Sequence, residues 1–163
     1  MRIVKYNTRL NRNTPTTQVQ LVREKATNYP KYHRLDCPDK IRDMLDDVFH
    51  LSDMSEEYMY LLAMDTKLHL NGVFEVSHGT VDQTAANPRE ILIKALLAGA
   101  KYIVIAHNHP SGDCTPSELD TACTKRLAEA CTAVGINLND SLILGNGTYF
   151  SFYEEKLLPE QSD

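Results

Sequence analysis

The sequence lacks the features of membrane proteins and of disulfide-rich secreted proteins. No apolar run approaches the roughly 20 residues that a membrane-spanning helix requires. Residues 1–7 lack the apolar core of a signal peptide. The four cysteines form no Cys-X-X-Cys pair, so we expect free thiols. These absences predict a cytoplasmic chain with no membrane contact.

Internal repeats, glycine-rich repeats and clustered aromatic side chains are also absent, but the charge is unevenly distributed. Residues 1–35 carry a net charge of +7, which leaves −12 for residues 36–163 of the total of −5. A basic arm on an acidic body is typical of nucleic-acid contact, and equally of an extension that docks on its own acidic domain. With no aromatic or glycine-rich pattern beside the charges, we favour docking. The basic residues of the arm are Arg2, Lys5, Arg9, Arg12, Arg23, Lys25, Lys31 and Arg34.

The length of 163 residues is enough for one domain with a buried core. We divide the chain into a basic, partly flexible N-terminal arm over 1–35, with a flexible lead-in over 1–16, and one domain over 36–163. Hydrophobic periodicity in that domain predicts an α/β fold, with a mixed sheet flanked by helices. The predicted elements are a helix over 38–50, strands over 57–64 and 68–76, a helix from 87 to 99, a strand over 101–107, a helix over 116–134 and a hairpin over 142–152.

Two histidines close the strand predicted over 101–107. Side chains at positions i and i+2 of a strand point to the same face, so His107 and His109 can converge on one ion if the extended geometry persists. Pro110 and Gly112 then turn the chain. The turn is short enough to bring the next helix back towards the histidines.

That helix is expected to begin with Thr115 as its N-cap and Pro116 as its first residue. Ser117 and Asp120 then lie three residues apart on one helical face. Two imidazoles and one carboxylate form a three-ligand set that leaves a fourth position of Zn²⁺ open. An open position allows a water molecule to be activated, which predicts a hydrolase.

Two neighbouring residues have less definite roles. Cys114 lies between the histidines and Asp120, as a supporting group or as a metal ligand itself. Asp113 is expected to orient either the turn or a ligand histidine.

With these residues placed, the chain from about 17 to 160 resembles the RadC-like branch of the JAB/MPN metalloprotease-fold family. The metal motif of that family is His-X-His, seven residues, then Ser-X-X-Asp, and it stands here from His107 to Asp120. The resemblance implies a JAB/MPN-like, cytidine-deaminase-like three-layer architecture. Further signatures of the branch are Gly79-Thr80, Pro88-Arg89-Glu90, the block Ala106–Asp113 and Tyr149–Phe152.

The resemblance also implies an activity, that of a zinc-dependent metallopeptidase or isopeptidase acting on a protein or peptide. The family uses an upstream glutamate as base. Glu57 fits the order helix, glutamate, strand better than Glu75, which we expect to face solvent. Ser117 corresponds to the donor that stabilises the oxyanion. The alternative is a non-catalytic or DNA-associated module in DNA repair or mobile-element biology.

The sequence departs from the family pattern at two points. Many relatives have Asp-His where this chain has Asp140-Ser141. Longer members also have a helix-hairpin-helix domain, for which this chain is too short.

Overall fold

A computed structural model describes residues 1–13, 16–79 and 87–161. Part of the polar lead-in and Thr80 of the Gly79-Thr80 signature lie outside these described residues. The elements in chain order are β1 (Arg2–Asn11), β2 (Gln18–Asn28), α1 (Pro38–Phe49), a 3-10 turn (Leu51–Asp53), β3 (Glu57–Met64), β4 (Leu70–Gly79), α2 (Pro88–Leu97), β5 (Tyr102–Asn108), α3 (Glu118–Ala133), β6 (Asn137–Gly145) and β7 (Thr148–Ser151).

The strands form one seven-stranded mixed sheet in the order β2-β1-β4-β3-β5-β6-β7. β1 pairs with β4, and β5 with β6, in parallel; the other neighbours are antiparallel. The predicted mixed α/β class is therefore confirmed. None of the described helices is long and apolar enough to cross a membrane.

Helices cover both faces of the sheet, which gives three layers. Alternate residues of β3 point to opposite faces: Leu62 packs with α1, whereas Leu61 packs with α2 and α3. Val104 and Ile105 of β5 divide in the same way. Because both faces are covered, these strands are continuous apolar runs rather than alternating ones. His107 follows Ile105 by two residues, so it points to the α2–α3 face.

The start of α3 differs from the prediction. The helix begins at Glu118, and its N-cap is Ser117, not Thr115. The Ser117 hydroxyl accepts a hydrogen bond from the Asp120 N–H, and the Asp120 carboxylate accepts one from the Ser117 N–H. This reciprocal capping box satisfies two backbone donors at once. The Thr115 N–H instead donates to the Asp113 carboxylate at 2.9 Å, which places Thr115 in the preceding turn.

The N-terminal segment also differs from the prediction. A flexible lead-in is wrong for Arg2–Asn11, because these residues form β1 and pair with β2 along its length. Ile3 is buried in the core on the α1 side. The polar residues of this segment gave no periodic signal. Its main ladder partner, β2, lies later in the chain, so the pairing could not be read from neighbouring residues. The division of domains at residue 35 stays a prediction.

Candidate metal centre

The end of β5 and the first turn of α3 bring three potential metal ligands together. Suitable atoms of His107, His109 and Asp120 all lie within 4.8 Å of one another. The His109 N–H donates to the Leu144 carbonyl at 2.8 Å, which keeps the backbone extended one residue beyond the strand. Both imidazoles therefore share one face, and the capping box fixes Asp120 opposite them.

The distances within this cluster fit a tetrahedral ion. His107 Nε2 lies 3.2 Å from His109 Nε2 and 3.2 Å from Asp120 Oδ1. His109 Nε2 lies 3.6 Å from Asp120 Oδ2. Bonds of about 2.0–2.2 Å to zinc give tetrahedral edges of about 3.3–3.6 Å between ligand atoms. The two distances measured from His107 Nε2 are close to such edges, and the distance from His109 to the second oxygen of Asp120 is of the same size.

The tautomer of His109 suits metal binding. Its Nδ1 lies 2.7 Å from the Asp113 carbonyl oxygen, which can only accept, so Nδ1 carries the proton. In the neutral ring, Nε2 then presents a lone pair to the cluster. Asp113 therefore orients the histidine through its main chain and the turn through its carboxylate, so both predicted roles are present.

His107 is almost fully enclosed, with a side chain that is only 3% exposed. Its Nδ1 is buried without a hydrogen-bond partner among the described residues. Its Nε2 faces a second imidazole nitrogen and a carboxylate oxygen. A divalent cation would satisfy His107 Nε2, His109 Nε2 and the Asp120 oxygen together. A single proton shared among these three atoms could not do so.

Asp120 is held as an anion. Burial alone would raise the pKa of its carboxyl, but hydrogen bonds from His107 and Ser117 hold that pKa well below its ordinary value. The Ser117 hydroxyl donates to Oδ2 at 2.6 Å, and the Ser117 N–H donates to the same oxygen at 2.8 Å. Oδ1 faces His107, while Oδ2 completes the helix cap and also lies on the side of His109.

Glu57, at the start of β3, also reaches this site. Its Oε1 lies 3.9 Å from His107 Nε2, and its side chain is 16% exposed. Met59 pairs with His107 across the ladder, so the two side chains share a face. Glu57 precedes Met59 by two residues and therefore points to the same face as the ligands.

Glu75 lies on the opposite face of the sheet. It pairs with Tyr60, which packs on the α1 side. Its carboxylate binds Lys5 Nζ at 2.7 Å and His78 Nδ1 at 2.9 Å. The expectation that Glu75 faces solvent is wrong in detail, because the side chain is half-buried in an ion pair with β1. That ion pair directs it away from the cluster.

Asn108 is a site residue that the sequence reasoning missed. Its fully buried side chain accepts from the Tyr58 N–H at 2.8 Å and donates to the carbonyls of Met54 and Glu56 at 3.2 and 3.0 Å. These bonds fasten the segment that carries Glu57 to the strand that carries the histidines. The signal available in the sequence was an asparagine between the two histidines of the motif.

Cys114, the other candidate ligand, lies outside the cluster, and so does Ser141. The Cys114 thiol donates to the Gly145 carbonyl at 3.6 Å, and burial raises its pKa, which disfavours the thiolate that metal binding requires. Ser141 accepts a hydrogen bond from the Thr124 hydroxyl at 3.0 Å and belongs to the contact between α3 and β6. Within the described part of the chain, the group suited to a metal therefore has three protein ligands.

Comparison with known protein families finds a match that includes the residues of this cluster. The profile of the RadC-like JAB domain matches residues 35–157. A UPF0758 protein of Actinobacillus pleuropneumoniae serotype 5b is 44% identical over 106 residues, which cover 65% of this chain and 48% of the relative. A UPF0758 protein of Pelobacter propionicus is 40% identical over 114 residues, or 69% and 50% of the two chains.

A third relative matches over a longer stretch. A UPF0758 protein of Alkaliphilus oremlandii is 34% identical over 134 residues, which cover 82% of this chain and 55% of the relative. The chain thus spans about half the length of the curated relatives it matches.

Proposed function

This chain belongs to the RadC-like JAB domain family, and on that premise we propose that it is a zinc-dependent hydrolase of peptide or isopeptide bonds in a protein substrate. One observation carries the proposal. Two imidazole nitrogens 3.2 Å apart and a carboxylate converge within 4.8 Å of one another, with a second carboxylate 3.9 Å from one of those nitrogens. The first group suits metal binding, and the second carboxylate suits a general base.

The number of ligands favours catalysis over a structural role. Structural zinc sites usually have four protein ligands, whereas catalytic sites have three and keep one position for water or substrate. The ligands proposed here are His107, His109 and Asp120. When zinc is bound, it supplies a water whose pKa falls from about 15.7 to about 7.

Glu57 is the proposed general base. Amide hydrolysis requires a proton to leave water and to reach the departing amine. Glu57 Oε1 takes that proton and returns it to the amine nitrogen, so the products are one carboxylate and one amine. A positioned acid–base group contributes about 10²- to 10⁴-fold to such rates. Asn108 supports the step by holding the start of β3 against β5.

Ser117 is the proposed donor to the substrate oxygen. Its hydroxyl donates to Asp120 Oδ2, and rotation about the Cβ–Oγ bond would free the hydroxyl proton for a substrate carbonyl while Oγ still accepts from the Asp120 N–H. Asp120 keeps a hydrogen bond after that rotation, because the Ser117 N–H also binds Oδ2. Loss of one oxyanion donor typically costs about 10²- to 10³-fold in kcat.

The proposed location is the cytoplasm. All four cysteines are free thiols, and Cys123 and Cys131 are buried residues of α3. Free thiols suit a reducing compartment.

The decisive experiment is the substitution Glu57→Gln, which removes the base and keeps its shape. We expect zinc content near that of the wild type and a loss of at least about 100-fold in hydrolysis of a pool of linear and lysine-branched peptides. Glu56→Gln is the matched control, because this exposed neighbour contributes only its carbonyl to the site. Full activity of Glu57→Gln together with an inactive Glu75→Gln variant would assign the base to Glu75.

A further inference from the structure

The hairpin of β1 and β2 extends beyond the ladder of the main sheet. β1 pairs with β4 only at Lys5 and Tyr6, whereas its pairing with β2 continues to Asn11. The segments 7–11 and 18–22 therefore form a two-stranded ribbon, and among residues 1–13, 16–79 and 87–161 they have no other ladder partners; we refer to them as the ribbon.

One face of the ribbon consists almost entirely of amide and guanidinium side chains. Opposed residues of an antiparallel pair share a face, as do alternate residues of each strand. The side chains on this face form a partly connected polar surface, since Asn11 Nδ2 donates to Gln20 Oε1 at 3.3 Å. A carboxylate reaches the face only at its sheet-proximal end, where Glu24 accepts a hydrogen bond from Asn7 at 3.0 Å. Its members are Asn7, Arg9, Asn11, Gln18, Gln20 and Val22.

The hairpin also carries basic side chains without acidic partners. Within the described residues, five exposed cations of the hairpin form no ion pair with a carboxylate. The one acid, Glu24, lies 3.6 Å from Lys5 Nζ and accepts a hydrogen bond from Asn7. Docking on the acidic body therefore uses Lys5, through Glu75. The five unpaired cations are Arg2, Arg9, Arg12, Arg23 and Lys25.

From this combination we propose that the ribbon docks in the major groove of duplex DNA, with its amide face towards the base edges. The major groove of B-DNA, about 12 Å wide, admits a two-stranded β-ribbon. Asparagine and glutamine pair with adenine there, and arginine pairs with guanine. The cations lie on both faces of the hairpin and at its tip, where they meet phosphates of the groove walls. The acidic remainder of the chain is repelled by DNA, which favours an approach through the ribbon.

The first test is the salt dependence of binding to a fluorescent 20-base-pair duplex, measured by anisotropy from 50 to 200 mM NaCl. Each lost phosphate contact makes the slope of log K against log salt less negative by about 0.9. The triple variant Arg12→Ala/Arg23→Ala/Lys25→Ala, which keeps Arg9 of the amide face, should therefore make the slope less negative by about 2 to 3. These three side chains are exposed, so the far-ultraviolet circular dichroism spectrum should be unchanged.

The matched control is Lys67→Ala/Lys125→Ala/Lys156→Ala, which removes the same net charge from exposed positions outside the hairpin. We expect its slope to equal that of the wild type. Equal losses in the two triple variants would show that only overall charge matters, and would overturn the proposal. Stronger binding to single-stranded than to duplex DNA would also overturn it.

A second test addresses base recognition. Selection from randomised duplexes should enrich a sequence motif with the wild type, and the double variant Asn11→Ala/Gln20→Ala should lose that enrichment while keeping the salt slope. The opposite face of the ribbon presents Leu10 and Val19, which are paired and exposed. A dimer in sedimentation analysis, without duplex binding, would assign the ribbon to a second copy of the chain and refute the DNA proposal. None of these outcomes depends on zinc or on hydrolysis.

Discussion

Zinc binding should stabilise the folded chain, and Asp120→Asn should remove most of that stabilisation. A ligand at 100 times its Kd stabilises the native state by about 2.7 kcal/mol. For a chain of this length, 1 kcal/mol shifts Tm by roughly 2–4 °C, so zinc should raise the wild-type Tm by about 5–11 °C. The reference is the same protein in excess chelator.

The expected size of the Asp120→Asn effect follows from the geometry of the site. Asp120 supplies the one negative charge among the three ligands and is held as an anion by its hydrogen bonds. Mutating an outer partner of a metal ligand typically costs 10- to 100-fold in affinity, so we expect more than about 100-fold for the ligand itself. At the same zinc concentration, the remaining stabilisation is then about 0.4 kcal/mol or less.

The assay is thermal unfolding with and without zinc, and the control is Asp113→Asn. This substitution removes the same charge from the turn that precedes α3, where the Asp113 carboxylate contacts Thr115 rather than the cluster. Asp113→Asn should therefore keep the wild-type shift. A full shift in Asp120→Asn would exclude Asp120 as a ligand, and equal losses in both variants would reduce its role to long-range charge.

Two further predictions concern Asp140 in β6 and Gly145 at the end of that strand. Burial raises the pKa of Asp140 to about 6 despite three hydrogen bonds, so the folded state holds its proton more tightly than the unfolded state. The free energy of unfolding should fall by on the order of 3 kcal/mol as pH rises from about 4 to 6. Urea unfolding of Asp140→Asn should lack this fall. The same pH dependence in the wild type and the variant would refute the assignment. Gly145→Ala should destabilise the fold by about 1–3 kcal/mol and weaken zinc binding in calorimetry, because the added Cβ would meet the Gly112 carbonyl oxygen at 2.8 Å. Unchanged stability would show that the turn at Gly112 moves freely.

Local patterns predicted the elements that carry the candidate site. The predicted strand over 57–64 coincides with β3, and the predicted helix over 38–50 matches α1 to within one residue. Period-two alternation placed both histidines on one face because β5 is regular up to Asn108. These predictions succeeded because each depends only on neighbours in the sequence.

The features that the sequence analysis missed depend on contacts between distant segments. The salt bridge of Glu75 is made with Lys5, and the amide of Asn108 bonds backbone groups 50 to 54 residues earlier. No local pattern encodes such partners. The choice of Thr115 over Ser117 as N-cap failed for a different reason, since Pro116 suggested a helix start that the reciprocal bonds of Ser117 and Asp120 outweigh.

X-ray absorption of the zinc-loaded chain tests the central claim most directly, because it reports the atoms bound to the ion. The account predicts a shell of nitrogen and oxygen alone, at about 2.0–2.2 Å, with two imidazole ligands. Sulfur at about 2.3 Å would show that a cysteine such as Cys114 binds the metal, and would contradict a centre built from His107, His109 and Asp120.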